Sequence, residues 1–131
     1  FFVLKSGDIV ANEIAPRPHN SGHYTMDACI SSQFEQQVRS MARLPLGDTR
    51  LLAPVSMLNL LGDLWYEGSE DKAREPAWDK VLSHPDAKLH LYGKSDPRMG
   101  RKMGHINCLG ESINQARQNC AAVAVELGIE P

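Results

Sequence analysis

The chain has 131 residues, 42% of them hydrophobic, with a formal net charge of -2; that is enough for one domain, or a lobe with a small satellite, around an ordinary core, and it argues against disorder. The longest apolar stretches, such as Leu51 to Leu61, fall well short of a membrane span, and no charged start followed by an apolar run marks a signal peptide, so a soluble, cytoplasmic protein is expected. Three widely spaced cysteines, Cys29, Cys108 and Cys120, speak against a disulfide framework or a zinc site and read as buried thiols.

The chain opens on Phe1-Phe2-Val3 without a methionine and runs straight into a strand-like segment, as expected of a piece cut from a longer protein. Phe1 to Leu4 and Ile9 to Ile14 are apolar runs around Lys5-Ser6-Gly7-Asp8, which predicts a hairpin. Pro16, Pro18 and Gly22 then predict a fixed, irregular loop over Ala15 to His23. Thr25 can cap a following helix with Asp27 in its first turn, and Ile30, Phe34, Val38 and Met41 recur at helical spacing as a core-facing stripe. Pro45, Gly47 and Asp48 end it and suggest a boundary between two units, 1–45 and 46–131.

Beyond the boundary, Leu51 to Leu61 reads as one or two buried strands ending at Gly62-Asp63. Glu67 to Glu75, polar and without periodicity, is expected to be a mobile surface insertion. Ala77 to Leu82 predicts a short helix, Lys88 to Tyr92 and Lys102 to Leu109 strands, and Ser112 to Leu127 a helix with Ile113, Ala116, Cys120, Val123, Ala124 and Leu127 on one face. The fold class is therefore α+β.

Charge is unevenly placed. Asp63 to Asp86 holds seven acids and three bases, whereas Lys88 to His105 holds five bases and one acid. Within the second segment, Lys94, Arg98, Arg101 and Lys102 lie on a loop bearing Pro97 and Gly100, a composition that can close around a phosphate monoester. The overall acidity and the shortage of aromatics near this loop weigh against nucleic acid.

The densest polar cluster is Asn12-Glu13-Ile14-Ala15-Pro16-Arg17-Pro18-His19-Asn20-Ser21-Gly22-His23. Glu13, at the end of a strand, can give a hard oxygen ligand to a magnesium ion held between phosphates, although it can equally be an exposed edge carboxylate. In a regular strand Asn12 and Glu13 face opposite ways. Arg17 can pair with a planar anion such as bicarbonate, or make a surface salt bridge. His19 and His23 have a spacing that suits zinc on a helix, but Pro18 and Gly22 disfavour a helix, which leaves hydrogen bonding to substrate or backbone. Residue chemistry alone thus yields two anion-handling loops and a metal carboxylate, without a reaction.

Asn12 to Thr25 closely resembles the hallmark of the ATP-dependent N-carboxyaminoimidazole ribonucleotide synthetases, the PurK group of ATP-grasp enzymes. Ser32-Gln33-Phe34-Glu35-Gln36, Leu44-Pro45-Leu46-Gly47, Leu58-Asn59-Leu60-Leu61-Gly62-Asp63, Leu91-Tyr92-Gly93-Lys94 and Gly100-Arg101-Lys102-Met103-Gly104-His105-Ile106-Asn107 resemble the same family in the same order. The wording is similar to the fungal version, in which the synthetase is fused to a downstream PurE-like carboxylase module; Ala121 to Pro131 would lie near that linker.

The resemblance implies a fold in which 1–45 ends the ATP-grasp lobe as a hairpin plus helix, and 46–131 forms a small β-rich half-barrel with flanking helices. It implies ATP and Mg2+ as cofactors, aminoimidazole ribonucleotide and bicarbonate as substrates, carboxyphosphate as the carrier of carbon dioxide, and a homo-oligomer. Residue by residue, Asn12 and Glu13 fall where the family contacts ATP, Glu13 as the second of two magnesium carboxylates. Arg17, His19 and Asn20 match the loop that holds bicarbonate or carboxyphosphate beside the amine. Lys94 and Arg101 match the bases that grip the ribonucleotide phosphate, with Lys102 as a helper. The first magnesium carboxylate, the glycine-rich lid and the amino-terminal substrate domain are expected ahead of Phe1, so these 131 residues alone are expected to be inactive. Two other readings are a formate-using glycinamide ribonucleotide transformylase, whose loop shares the Pro16-Arg17-Pro18-His19 part, and a non-catalytic dimerisation domain.

Overall fold

The computed structural model describes residues 1–66 and 73–130. The amino-terminal hairpin pairs β1 (Phe2–Val3) with β2 (Ile9–Val10) in antiparallel register, Phe2 opposite Val10. Gly7 takes a positive φ of 90° in the connecting turn, a conformation that suits glycine. The second strand ends at Val10 rather than running to Ile14, so Asn12 and Glu13 lie beyond the ladder and strand alternation does not govern them.

The helix expected from Thr25 is two helices. α1 (Thr25–Ala28) stops at Cys29, whose backbone is extended, and α2 (Gln33–Met41) starts afresh from Ser32. The Ser32 hydroxyl accepts from the Glu35 amide at 3.1 Å, the Ser-Xaa-Xaa-Glu arrangement that caps a helix start. Thr25 is not the cap: its hydroxyl donates to the Gly22 carbonyl and accepts from the Gln33 amide, tying loop to helix. The segment between the helices pairs with 48–52, through Ile30 N to Arg50 O, Ser31 N to Asp48 O and Leu52 N to Ala28 O. Leu51 and Leu52 therefore leave the strand predicted from 51. The stripe on α2 is exposed, Val38 at 63% and Met41 at 79%, and is not core within this chain.

The second half is a three-stranded antiparallel sheet in the order β3 (Val55–Leu61), β5 (Lys102–Leu109), β4 (Ala87–Leu91). Alternation along β5 divides the sheet into unlike faces. Leu58, Leu60, Ile106, Cys108 and Leu89 share the apolar face with Val81 of α3 (Trp78–Leu82) and Val123 and Leu127 around α4 (Ile113–Glu126). Leu60, Ile106, Val81 and Val123 are fully buried, each contributing about 1.5–3 kcal/mol of hydrophobic stabilisation. The opposite face carries the row Asn59, His105, His90 and, next to it, Met57, Asn107, Lys88.

Two edges complete the frame. Ser112 caps α4 by accepting from the Gln115 amide at 3.1 Å, as the predicted helix start requires. The mobile insertion expected over Glu67 to Glu75 lies outside the described residues at 67–72. Its far end is fixed: the Glu75 carboxylate accepts from the indoles of both Trp65 and Trp78. The three cysteines are free thiols, with Cys108 buried and Cys29 and Cys120 half-buried.

Candidate active site

The polar face of the sheet is where the loop from Ala15 to His23 docks. Asn20 Nδ2 donates to Asn59 Oδ1 at 2.7 Å. Asn107 Nδ2 donates to Asp27 Oδ2 at 2.6 Å and reaches the His23 carbonyl at 3.3 Å. His90 Nε2 meets the same Asp27 oxygen at 2.8 Å. The Nδ2 end of a polar side chain in a strand otherwise apolar is thus bonded from the other half of the molecule, while Asn107 Oδ1 is buried without a partner among the described residues, and the loop gains a fixed seat.

Inside the loop, His19 to His23 is not helical in the way a two-histidine metal site needs; a single 3-10 turn, Asn20–Gly22, separates the two rings. The His19 Nδ1 accepts from the Ser21 amide at 3.3 Å, which puts its proton on Nε2. His19 Nε2 has no partner among the described residues, so the ring offers a donor. His23 packs 5.1 Å from His105 and 5.2 Å from Phe34, ring centre to ring centre. Burial, followed by the nearby His19 and Lys102, lowers the pKa of His23 from its ordinary value.

His105 is the most deeply buried histidine of this face. It is 1% exposed, stacks on His90 at 4.6 Å and shares a 2.9 Å hydrogen bond with the Tyr92 hydroxyl through Nδ1. Burial, then the neighbouring His90 and His23, bring its pKa down to about 4 against a smaller upward pull from Asp27. Burial also pushes the Tyr92 phenol up, partly offset by a hydrogen bond with Asn20.

The basic loop folds back over the end of β3. Gly62 lies against the Arg98 backbone so closely that a Cβ would stand 2.2 Å from the Arg98 carbonyl oxygen. Asp63 accepts from the Gly100 amide at 2.7 Å, and Tyr66 donates to the Pro97 carbonyl at 3.1 Å. Lys102 Nζ donates to Asn20 Oδ1 at 2.8 Å, and Lys94 Nζ to the Lys102 carbonyl at 2.5 Å. Arg101 and Arg98 both turn toward Asp96, with Arg101 Nη1 on its carbonyl at 2.7 Å and Arg98 Nε on its carboxylate at 2.7 Å.

Of the residues expected to do chemistry, Asn20, Lys102 and Lys94 form one connected group. Arg101 joins them through the loop backbone and Asp96. His19 stands beside Asn20 in sequence with its ring tied to Ser21. Arg17 is exposed, its guanidinium bonded among the described residues to the Pro18 carbonyl at 3.1 Å, on the wall of an open cleft of about 670 Å³ that also includes Gln33 and Tyr24. Asn12 and Glu13 are exposed, and their side chains make no hydrogen bond or ion pair among the described residues. No cluster of three or more His, Cys, Asp or Glu suited to a metal occurs among those residues. Sequence reasoning missed Gln33, Asn59, Asp27, His90 and Asn107 as supports of the loop. The alternation of His105 and Asn107 with Gly104 and Ile106 was a usable sign of a polar strand face.

Residues 1–34 match the ATP-grasp domain family and residues 55–119 the phosphoribosylaminoimidazole carboxylase C-terminal domain. The chain is 50% identical over 105 residues to an N5-carboxyaminoimidazole ribonucleotide synthase of Bacillus subtilis, covering 80% of this chain and 25% of that protein. It is 46% identical over 122 residues to a phosphoribosylaminoimidazole carboxylase of Ogataea methanolica, covering 89% and 21%. The N5-carboxyaminoimidazole synthase of Aspergillus clavatus, solved in complex with ADP and 5-aminoimidazole ribonucleotide, superposes with a TM-score of 0.80 at 33% identity, covering 97% of this chain and 33% of that one. The chain spans about a quarter of the length of the curated relatives it matches. Among the described residues no helix is long and apolar enough to cross a membrane. Taken with the two matched domains, these likenesses make the chain a member of the N5-carboxyaminoimidazole ribonucleotide synthetase family of purine biosynthesis, corresponding to the carboxyl-terminal part of its ATP-grasp module.

Proposed function

We propose that the chain supplies one wall of the active site that carboxylates aminoimidazole ribonucleotide with bicarbonate and ATP in the cytoplasm. The observation that carries this reading is the contact between the two anion-handling loops, Lys102 Nζ on Asn20 Oδ1 at 2.8 Å. The Asn20 amide of one loop meets Lys102 of the other, with Lys94 on the Lys102 carbonyl, and the same two loops carry Arg17, His19 and Arg101. Such a surface suits a reaction in which a carboxylate, a phosphoryl group and a ribonucleotide phosphate must lie close together.

In this reading the Nε2–H of His19 and the free donors of Arg17 hold the oxygens of bicarbonate or carboxyphosphate, with Asn20 beside the amine. Lys94 and Arg101, helped by Lys102, grip the ribonucleotide phosphate. ATP with magnesium supplies the phosphoryl group that activates bicarbonate. The Glu13 carboxylate, without a partner among the described residues, fits one hard-oxygen position toward such an ion, beside Asn12; magnesium needs few protein groups besides phosphate oxygens, so the remaining ligands come from outside these residues. The isolated chain is accordingly inactive. The unit boundary falls near 45/46, and the three-stranded sheet is the described part of the half-barrel. The assembly is a homo-oligomer, followed in fungal-type proteins by a PurE-like carboxylase module.

The test is ADP release by a full-length synthetase carrying this segment. Bicarbonate with aminoimidazole ribonucleotide should drive turnover, and Lys94→Ala should raise the KM for the ribonucleotide far more than that for ATP. Turnover driven by formate and glycinamide ribonucleotide, or equal rises in both KM values, would overturn the assignment.

A further inference from the structure

We propose that Gln33 is the positioning residue of the carboxylating loop, fixing the backbone that carries His19 and Asn20; the proposal rests on the reading of the site given above. Gln33 opens α2, and its side chain turns back onto the loop fourteen residues earlier. Oε1 accepts from the His19 amide at 2.9 Å, and Nε2 donates to the His19 carbonyl at 2.8 Å. Because a backbone amide only donates and a carbonyl only accepts, this pair fixes which end of the amide is which. The second Nε2 hydrogen goes to His23 Nδ1 at 2.6 Å.

His19 is extended, with φ -124° and ψ 151°, so the Gln33 amide gives it the two bonds that a neighbouring strand would. That grip holds the backbone and leaves the His19 ring to be oriented by Ser21. Two further features make the arrangement specific. A Cβ on Gly22 would stand 2.5 Å from Gln33 Oε1, so the amide occupies space that only glycine leaves open. The Gln33 backbone N–H donates to Thr25 Oγ1, which itself holds the Gly22 carbonyl. His19, Gly22 and His23 are thus pinned by one residue that carries no charge.

Gln33→Glu keeps length and shape but sets an acceptor against the His19 carbonyl and His23 Nδ1. In a full-length synthetase carrying this segment, the KM for bicarbonate should rise by about tenfold or more, since small displacements of a positioned group are costly in rate. ADP released per carboxylated product should rise well above one, while the KM values for ATP and ribonucleotide stay within about twofold of wild type. The His23 pKa, followed by NMR, should rise. A folded Gln33→Glu enzyme with wild-type bicarbonate KM and stoichiometry, or with equal losses toward all three substrates, overturns the proposal. If Gln33→Glu does not fold, Gly22→Ala displaces the same amide from the loop side and should give the same bicarbonate-selective defect; its absence there also overturns it. A wild-type enzyme without bicarbonate- and ribonucleotide-dependent turnover overturns the site reading itself, which the variants leave separate.

Discussion

Lys102 donates through Nζ to Oδ1 of Asn20 at 2.8 Å, although 82 residues of chain separate them. The same Asn20 amide donates from Nδ2 to Asn59, so its two ends are held by two strands of the sheet, β5 and β3. A lysine read from sequence as a helper at the ribonucleotide phosphate is therefore bonded to Asn20 of the loop proposed to hold bicarbonate.

The expected consequence is non-additivity. Asn20→Ala and Lys102→Ala should each lower kcat/KM in a full-length synthetase, and the double variant should lose less than the product of the two, by roughly three- to tenfold, because the second substitution removes a contact already broken. Strictly multiplicative losses in steady-state kinetics would mean that the bond has no part in turnover.

The basic loop depends on a close approach that only glycine permits. At Gly62→Ala the new Cβ would meet the Arg98 carbonyl oxygen at 2.2 Å and its amide nitrogen at 2.6 Å, both main-chain atoms unable to swing aside. Overpacking of this kind costs about 1–3 kcal/mol. Thermal unfolding should register that loss, and the KM for ribonucleotide should rise as Lys94 and Arg101 shift with the loop. Wild-type stability together with a wild-type KM would show that the loop can move away freely.

The secondary structure was most legible where period and cap agree. Lys102 to Leu109 and the helix after Ser112 occur where alternation and the Ser112 cap put them. The break between α1 and α2 was legible too, in Ser32 and Glu35, but the spacing of Ile30, Phe34, Val38 and Met41 spans it and hides it. Those residues stay exposed in this chain, so their periodicity records a face whose burial, if any, lies outside these contacts. The loop's chemistry was visible in its composition, whereas its supports were not. Asn59, Asp27 and His90 reach it across long stretches of sequence, and no local pattern encodes a hydrogen bond between residues 39 positions apart, as Asn20 and Asn59 are.

Packed beside those supports, His105 ties stability to pH. Buried among His90, His23, Tyr92 and Asp27, it is neutral in the folded protein, with a pKa of about 4 against 6.5 when unfolded. Between these values the unfolded chain binds the proton and the folded chain does not, so stability must rise with pH across that window. The contribution is complete above about pH 6.5, declines as pH falls, and is exhausted near pH 4, a span worth roughly 3 kcal/mol. His23, also shifted down, acts in the same direction. Urea unfolding of the purified protein at pH 7.5, 6 and 5 should therefore show a falling midpoint, and His105→Gln, which cannot be protonated, should flatten the decline. Equal midpoints at pH 7.5 and 5 in the wild type would mean that the imidazole reaches solvent or a carboxylate on protonation, and the polar seat of the loop would then be adaptable rather than fixed.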